Sequence, residues 1–193
     1  MHHIIQEFNR IEPLDDKEVH ALENLLATAR QTILKKGEYL WQYGDMPDYE
    51  AYIEHGLLRQ VIEDSDGNEK IIQFYKEGDY IHDCTGQPVN HCIHALEDCT
   101  LGILKNTDWE NLLRRYPKIE RIGYKMLQQL LHLHKDHLNL LMKYSPEERY
   151  KYVLQNQPEL VSRVSVTHMA QYLGLSRETL SRMRAKVSEY STL

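Results

Sequence analysis

VSVTHMAQYLGLSRETLSRMRAK, residues 164–186, is the stretch on which the reading of this chain turns. Ala170, Leu173, Leu175, Leu180 and Met183 fall at helical spacing on either side of Gly174, the residue type that best tolerates a sharp turn. Ser176 stands where a helix N-cap belongs, and the residues after it are polar. Two short helices, a glycine turn and a polar second helix make a helix-turn-helix, whose second helix enters the DNA major groove. Ser176, Arg177, Glu178, Thr179, Ser181 and Arg182 are the candidate DNA-binding residues. An arginine fork matches the two acceptors of guanine, a glutamate accepts from the cytosine amino group, and hydroxyls reach phosphate oxygens. The competing reading of the segment alone is a helical hairpin with a solvated charged face.

Charge supports the DNA reading locally. The 193 residues carry a net charge of −6, but four basic residues, Arg177, Arg182, Arg184 and Lys186, face one acid, Glu178, inside the segment. Phosphate attraction depends on that footprint rather than on the average. With 41% hydrophobic and 27% charged residues the chain has an ordinary globular composition. It carries no apolar run of bilayer length and no signal-peptide pattern at MHHIIQEFNR, so a cytoplasmic location and no membrane partner are expected. Cys84, Cys92 and Cys99 are expected as free thiols in a reducing compartment.

Upstream, the periodicity changes twice. Leu14–Thr32 reads as one amphipathic helix through Val19, Leu22, Leu25, Leu26 and Ala29. From Thr32 to about Leu104 the chain breaks into short strand-like runs separated by glycine turns, the pattern of a β-roll or jelly roll. Asp66-Gly67-Asn68 predicts a hairpin pairing Gln60–Glu63 with Lys70–Phe74. Thr107 is expected to cap a helix over Asp108–Arg115, Pro117 to open a long one over 118–143, and Ser145 to cap another reaching about Gln157. The long helix has more apolar residues than one core requires. A near-heptad stripe at 119, 122, 126, 130, 133, 137 and 140 predicts a homodimeric parallel coiled coil, against the alternative of a helix buried in a monomer. The expected fold class is therefore α+β: a double-stranded β-helix (jelly-roll/β-roll) sensor domain over 1–116, a dimerisation helix over 117–144 and an all-α helix-turn-helix domain over 145–193.

An opening helix, ILKKGEYLWQYGD, YIEHGLLRQVIEDSDGNEKIIQFYKEGDYI, ALEDCTLGIL and MAQYLGLSRETLSRMRAK together resemble the Crp/Fnr family of bacterial transcription regulators over nearly the whole chain. The resemblance implies a homodimer through residues 118–143, bound to an inverted repeat of double-stranded DNA. It further implies base contacts from Arg177, Glu178 and Arg182, with Ser176 and Thr179 nearer phosphate, and a small-molecule effector in the β-roll. The members that bind cyclic AMP hold its phosphate with an Arg-Ser or Arg-Thr after the Gly-Asp turn. Here Gly78–Cys92 contains no arginine, and a buried phosphate without a guanidinium is poorly compensated. Cyclic AMP is thus not the expected ligand. Tyr80, His82, Asp83, Asn90 and His91 are the candidate effector-pocket residues, Asp83 standing where the family has a ribose-binding glutamate, and the cofactor is unknown. The sequence ends at Leu193 soon after the second helix, so the family's β-wing is expected to be missing.

His82, Asp83, Cys84, His91, Cys92, His94 and Cys99 cluster in sequence, and His132, His134 and His137 follow on the long helix. Their spacing matches no structural zinc site, and no metal site is expected. A cupin-like metal or small-molecule-binding barrel without DNA binding is the alternative function. It requires a His-x-His on one strand, which the sequence lacks, and no catalytic constellation of an enzyme is recognisable.

Overall fold

A computed structural model describes residues 2–83 and 86–190, with side chains for 3–83 and 86–185. Cys84, the side chain of Lys186 and the end of the chain at Leu193 lie outside the described residues. The chain divides into two compact units, Met1–Ile62 with Gln73–Leu130, and Glu63–Ile72 with Leu131–Leu193.

The β-roll forms from eight short strands: β1 Arg30–Leu34, β2 Tyr39–Trp41, β3 Tyr49–His55, β4 Leu58–Glu63, β5 Glu69–Tyr75, β6 Tyr80–Ile81, β7 Cys92–Ala95 and β8 Cys99–Lys105. They lie in two four-stranded sheets, ordered β1-β8-β3-β6 and β2-β7-β4-β5, with antiparallel pairing. Alternate residues point to opposite faces, and one set, including Leu34, Trp41, Ala51, Ile53, Leu58, Ile81, Val89, Ile93, Leu101 and Ile103, makes the apolar interior. Gly56 follows β3 at φ +110°, and a Cβ there would stand 2.8 Å from Cys99 Cα, so only glycine admits this approach of the backbones. The expected hairpin is present. Asp64 ties its turn by accepting from the amides of Asp66 and Asn68, and Tyr75 donates across to Gln60 at 2.8 Å.

The outer side chains of β3 and β8, Tyr52 and Leu104, join a second core made by helices. The opening helix expected over Leu14–Thr32 is present as the shorter α2 Asp16–Ala27, and a helix not anticipated from sequence, α1 His2–Ile11, precedes it. A capping box at Asp15, closed by Glu18, starts α2, and Arg30 already belongs to β1. Ile4, Ile5 and Phe8 of α1, Leu22 of α2, Leu112 of α3 (Asn106–Arg115) and Ile119 and Ile122 of α4 (Pro117–Lys143) fill this core. Lys105 takes the N-cap position of α3, so Thr107 lies inside the helix and the expected cap falls two residues late.

The long helix differs from expectation in which face it exposes. Ile119 and Ile122 are wholly buried in the helical core, Met126 packs against that core, and Leu140 is also buried. These positions are committed to the chain's own interior. Tyr124, Leu127, Leu131, Leu138 and Met142 are exposed, as is Leu133. Tyr124, Leu131 and Leu138 recur every seven residues with Leu127 between, which is coiled-coil spacing on a different face. A helix with two apolar faces shows both repeats in sequence, and only packing tells them apart.

In the second unit, Ser145 closes the expected capping box with Glu148 at the start of α5 Pro146–Asn156. A short α6 Pro158–Arg163, not anticipated from sequence, precedes α7 Val166–Leu173 and α8 Arg177–Tyr190. Tyr150, Val153, Leu160, Val164, Met169, Ala170, Leu173 and Leu180 are buried among these helices.

Candidate nucleic-acid interface

The turn between α7 and α8 is closed at three points. Ser165 caps α7 by accepting from the His168 amide. Gly174 ends it in the left-handed region at φ 64°, and the Leu175 amide donates back to Ala170 O at 2.8 Å. Ser176 then caps α8, its Oγ accepting from the Thr179 amide at 3.1 Å and pairing with Thr179 Oγ1 at 2.9 Å. Those two hydroxyls, expected nearer phosphate, are engaged with each other.

Leu180 is fully buried against the other helices, and the opposite face of α8 is therefore turned outward. Arg177, Glu178, Ser181 and Arg182 are exposed, at the i, i+4 spacing that places Arg177 with Ser181 and Glu178 with Arg182. Among the described residues none of these four side chains makes a hydrogen bond or ion pair. The Thr179 amide is taken by Ser176, and the amides of Arg177 and Glu178, ahead of it in the first turn, lie at the positive end of the helix dipole, which favours an anion such as phosphate.

The five candidate effector residues do not meet in one cavity. Tyr80 packs outward against Trp109, ring centroids 6.2 Å apart, and Tyr52, 5.6 Å apart. Its hydroxyl is buried without a partner among the described residues, and burial raises its pKa. His82 pairs through Nδ1 with Glu50 Oε1 at 2.6 Å; that hydrogen bond to a carboxylate only 3% exposed raises the imidazole pKa. Asp83 is half-buried and Asn90 exposed. His91 instead lies beside Trp41, 6.1 Å between ring centroids, and its burial lowers its pKa. Ile81, between Tyr80 and His82, is the residue of that strand that enters the barrel.

Sequence reasoning missed a buried arginine. Arg59 of β4 is 8% exposed and donates from Nε to His94 Nε2 at 2.7 Å, with Tyr39 stacked on His94. Arg59 and His94 stand opposite each other in the β4–β7 register, next to Leu58 and Ala95, which enter the interior; the guanidinium lies on the other face. A cavity of about 610 Å³ opens elsewhere in the β-roll, lined by Arg30, Tyr39, Gln42, Tyr49 and Ile103 among others, and by none of the five candidates. Cys92 and Cys99 are buried free thiols, and burial pushes the Cys99 thiol up to about 11. Among the described residues no three His, Cys, Asp or Glu side chains are grouped to hold a metal, and no helix is long and apolar enough to cross a membrane.

Residues 31–116 match the family described as the cyclic nucleotide-binding domain. The human protein named patatin-like phospholipase domain-containing protein 6 is 30% identical over 104 residues, covering 52% of this chain; the chain spans 8% of that relative's length. The anaerobic regulatory protein of Haemophilus influenzae is 22% identical over 193 residues, 93% of this chain and 74% of that protein. Among solved structures, FixK2 from Bradyrhizobium japonicum superposes with a TM-score of 0.78 at 22% identity, covering 85% of this chain and 86% of its own. A transcriptional regulator of the CRP/FNR family from Thermus thermophilus superposes with a TM-score of 0.66 at 17% identity, over 83% of this chain and 87% of its own. At those identities the structures establish the fold.

Trp41, Tyr75, Ile81, Val89 and Ile93 belong to the apolar cluster between the sheets, and the stretch Gly78–Cys92 contains no arginine. A cyclic phosphate held by that stretch would lose hydration with no guanidinium from it in return.

Proposed function

We propose that the chain is a transcription regulator of the Crp/Fnr type, as its cyclic nucleotide-binding domain match, its likeness to the anaerobic regulatory protein and its fold support, and that it binds an inverted repeat of double-stranded DNA as a homodimer, one α8 in the major groove of each half-site. Residues 1–116 serve as the sensor, 117–144 as the pairing helix and 145–193 as the DNA-binding domain, in the cytoplasm where the DNA is. The observation that carries this reading is the outward face of α8: two arginines, a glutamate and a serine, exposed and uncommitted on a helix held by a buried apolar face. Arg177, Glu178 and Arg182 read base edges, and Ser181 and the first amides of α8 hold the backbone. The arginine-free stretch Gly78–Cys92 supports an effector other than a cyclic nucleotide.

Sequencing of fragments retained from a random DNA pool tests this. A two-fold-symmetric motif is the expected result, lost on joint substitution of Arg177→Ala and Arg182→Ala. Retention of fragments without any shared motif would overturn the proposal.

A further inference from the structure

Arg149, at the start of α5, touches none of the groove-facing residues. Its Nε donates to the carbonyl of Tyr144, just beyond the end of α4, at 2.9 Å. Its Nη1 donates to the carbonyl of Leu173, the last residue of α7, at 3.0 Å. Terminal carbonyls of a helix have no partner within it, and the one at Leu173 immediately precedes the Gly174 turn. The turn also closes over this side chain: a Cβ on Gly174 would stand 3.4 Å from Nη1 and 3.7 Å from Leu141 Cδ2 of α4. One rigid, permanently charged fork thus spans from the end of α4 to the turn that launches α8. A guanidinium at the negative end of α7 has the favourable sign for the helix dipole.

We propose that Arg149 is a positioning residue that fixes where the recognition helix stands relative to the pairing helix, and thereby which separation of half-sites the dimer accepts. The inference rests on the DNA-binding reading above. In a symmetric dimer each α8 is placed through its own α4, so the α4-to-turn distance enters the half-site separation twice, once in each protomer. Arg149 fixes that distance with two hydrogen bonds to main-chain carbonyls that cannot be moved by rotating a side chain. Lysine carries its donors on one nitrogen and cannot reach both carbonyls in the geometry that the guanidinium's Nε and Nη1 hold.

The test measures affinity for DNA carrying the selected inverted repeat with the spacer lengthened or shortened by one and by two base pairs. Native protein, Arg149→Met and Arg149→Lys are compared. Native protein is expected to lose at least about tenfold affinity per altered spacer. Arg149→Met is expected to bind the native spacing about tenfold more weakly while the penalty for altered spacing shrinks to within about threefold, with the same preferred half-site bases. Arg149→Lys is expected to fall between. A smaller penalty for altered spacing is not produced by partial unfolding, which weakens all sites alike. If Arg149→Met does not fold, Arg149→Lys decides, by the same comparison of spacers. Unchanged spacing preference in the variant that folds would overturn the inference while leaving the DNA-binding reading intact. A native protein that selects no symmetric site would overturn both.

Discussion

The imidazole of His137, on α4, lies flat on the phenol of Tyr172, on α7, with ring centroids 4.1 Å apart and planes 13° from parallel. The stack joins the C-terminal part of α4 to α7 within one compact unit. It uses a residue that sequence periodicity assigned to a dimer seam.

Burial, with His134 nearby adding a smaller contribution, holds the His137 pKa at about 4, below its ordinary 6.5. The folded state therefore prefers the neutral ring, and the unfolded chain takes up a proton first as the pH falls. Stability from this site is complete above about pH 6.5 and is lost progressively as the pH falls to about 4. His137→Phe keeps an aromatic ring and removes the titration. Its melting temperature should fall less than that of native protein between about pH 7 and about pH 4.5. Parallel declines would show that the ring is not the titrating group.

Arg182 makes a different prediction from Arg149. A bidentate arginine–guanine contact is worth about 1–3 kcal/mol of discrimination, so Arg182→Ala should weaken binding to the selected site by about ten- to hundredfold. It should also relax base preference at one position of each half-site. Competition with single-base variants of the site measures this. Loss of affinity at every sequence alike would assign Arg182 to phosphate instead.

Gly174 links local conformation to stability. It holds φ 64° with space around it shared between Arg149 and Leu141. An L residue in the left-handed region costs about 1–2 kcal/mol. Gly174→Ala should accordingly lower the melting temperature, and Gly174→Asn, which tolerates that region better, should lower it less. Equal losses would point to crowding rather than backbone strain.

Much of this was legible from residue order because local signals agree with the fold. Ser145, Ser176 and Gly174 mark helix ends through their own hydrogen bonds and backbone angles, and the Asp64–Asn68 turn fixes its hairpin. The missed features depend on contacts distant in sequence. Arg149 reaches Leu173, 24 residues on, and Arg59 reaches His94, 35 residues on. His82 finds Glu50 across β3 and β6. The helix α1 lies in a His-rich opening segment without a sharp start signal, and it is its packing of Ile4, Ile5 and Phe8 that gives it a place. The effector candidates are neighbours in sequence, but alternation along β6 turns Tyr80 outward to the helical core and leaves Ile81, not a candidate, as the residue that enters the barrel.

The two apolar faces of α4 make the pairing surface testable residue by residue. Leu131 and Leu138, 62% and 58% exposed, lie seven apart on the outward face, whereas Ile122 is 0% exposed in the helical core. A charged side chain at Leu131 or Leu138 meets water in a monomer and costs little there, but it would be buried opposite its own copy in a parallel pair, where like charges repel. Leu131→Asp and Leu138→Asp should therefore produce a folded monomer, read as a halved mass by light scattering with unchanged far-UV circular dichroism. They should also lose affinity for the inverted repeat far more than for a single half-site. Ile122→Asp buries an uncompensated charge and should unfold the protein instead. Dimers that survive Leu131→Asp with Leu138→Asp would place the pairing surface away from this face of α4.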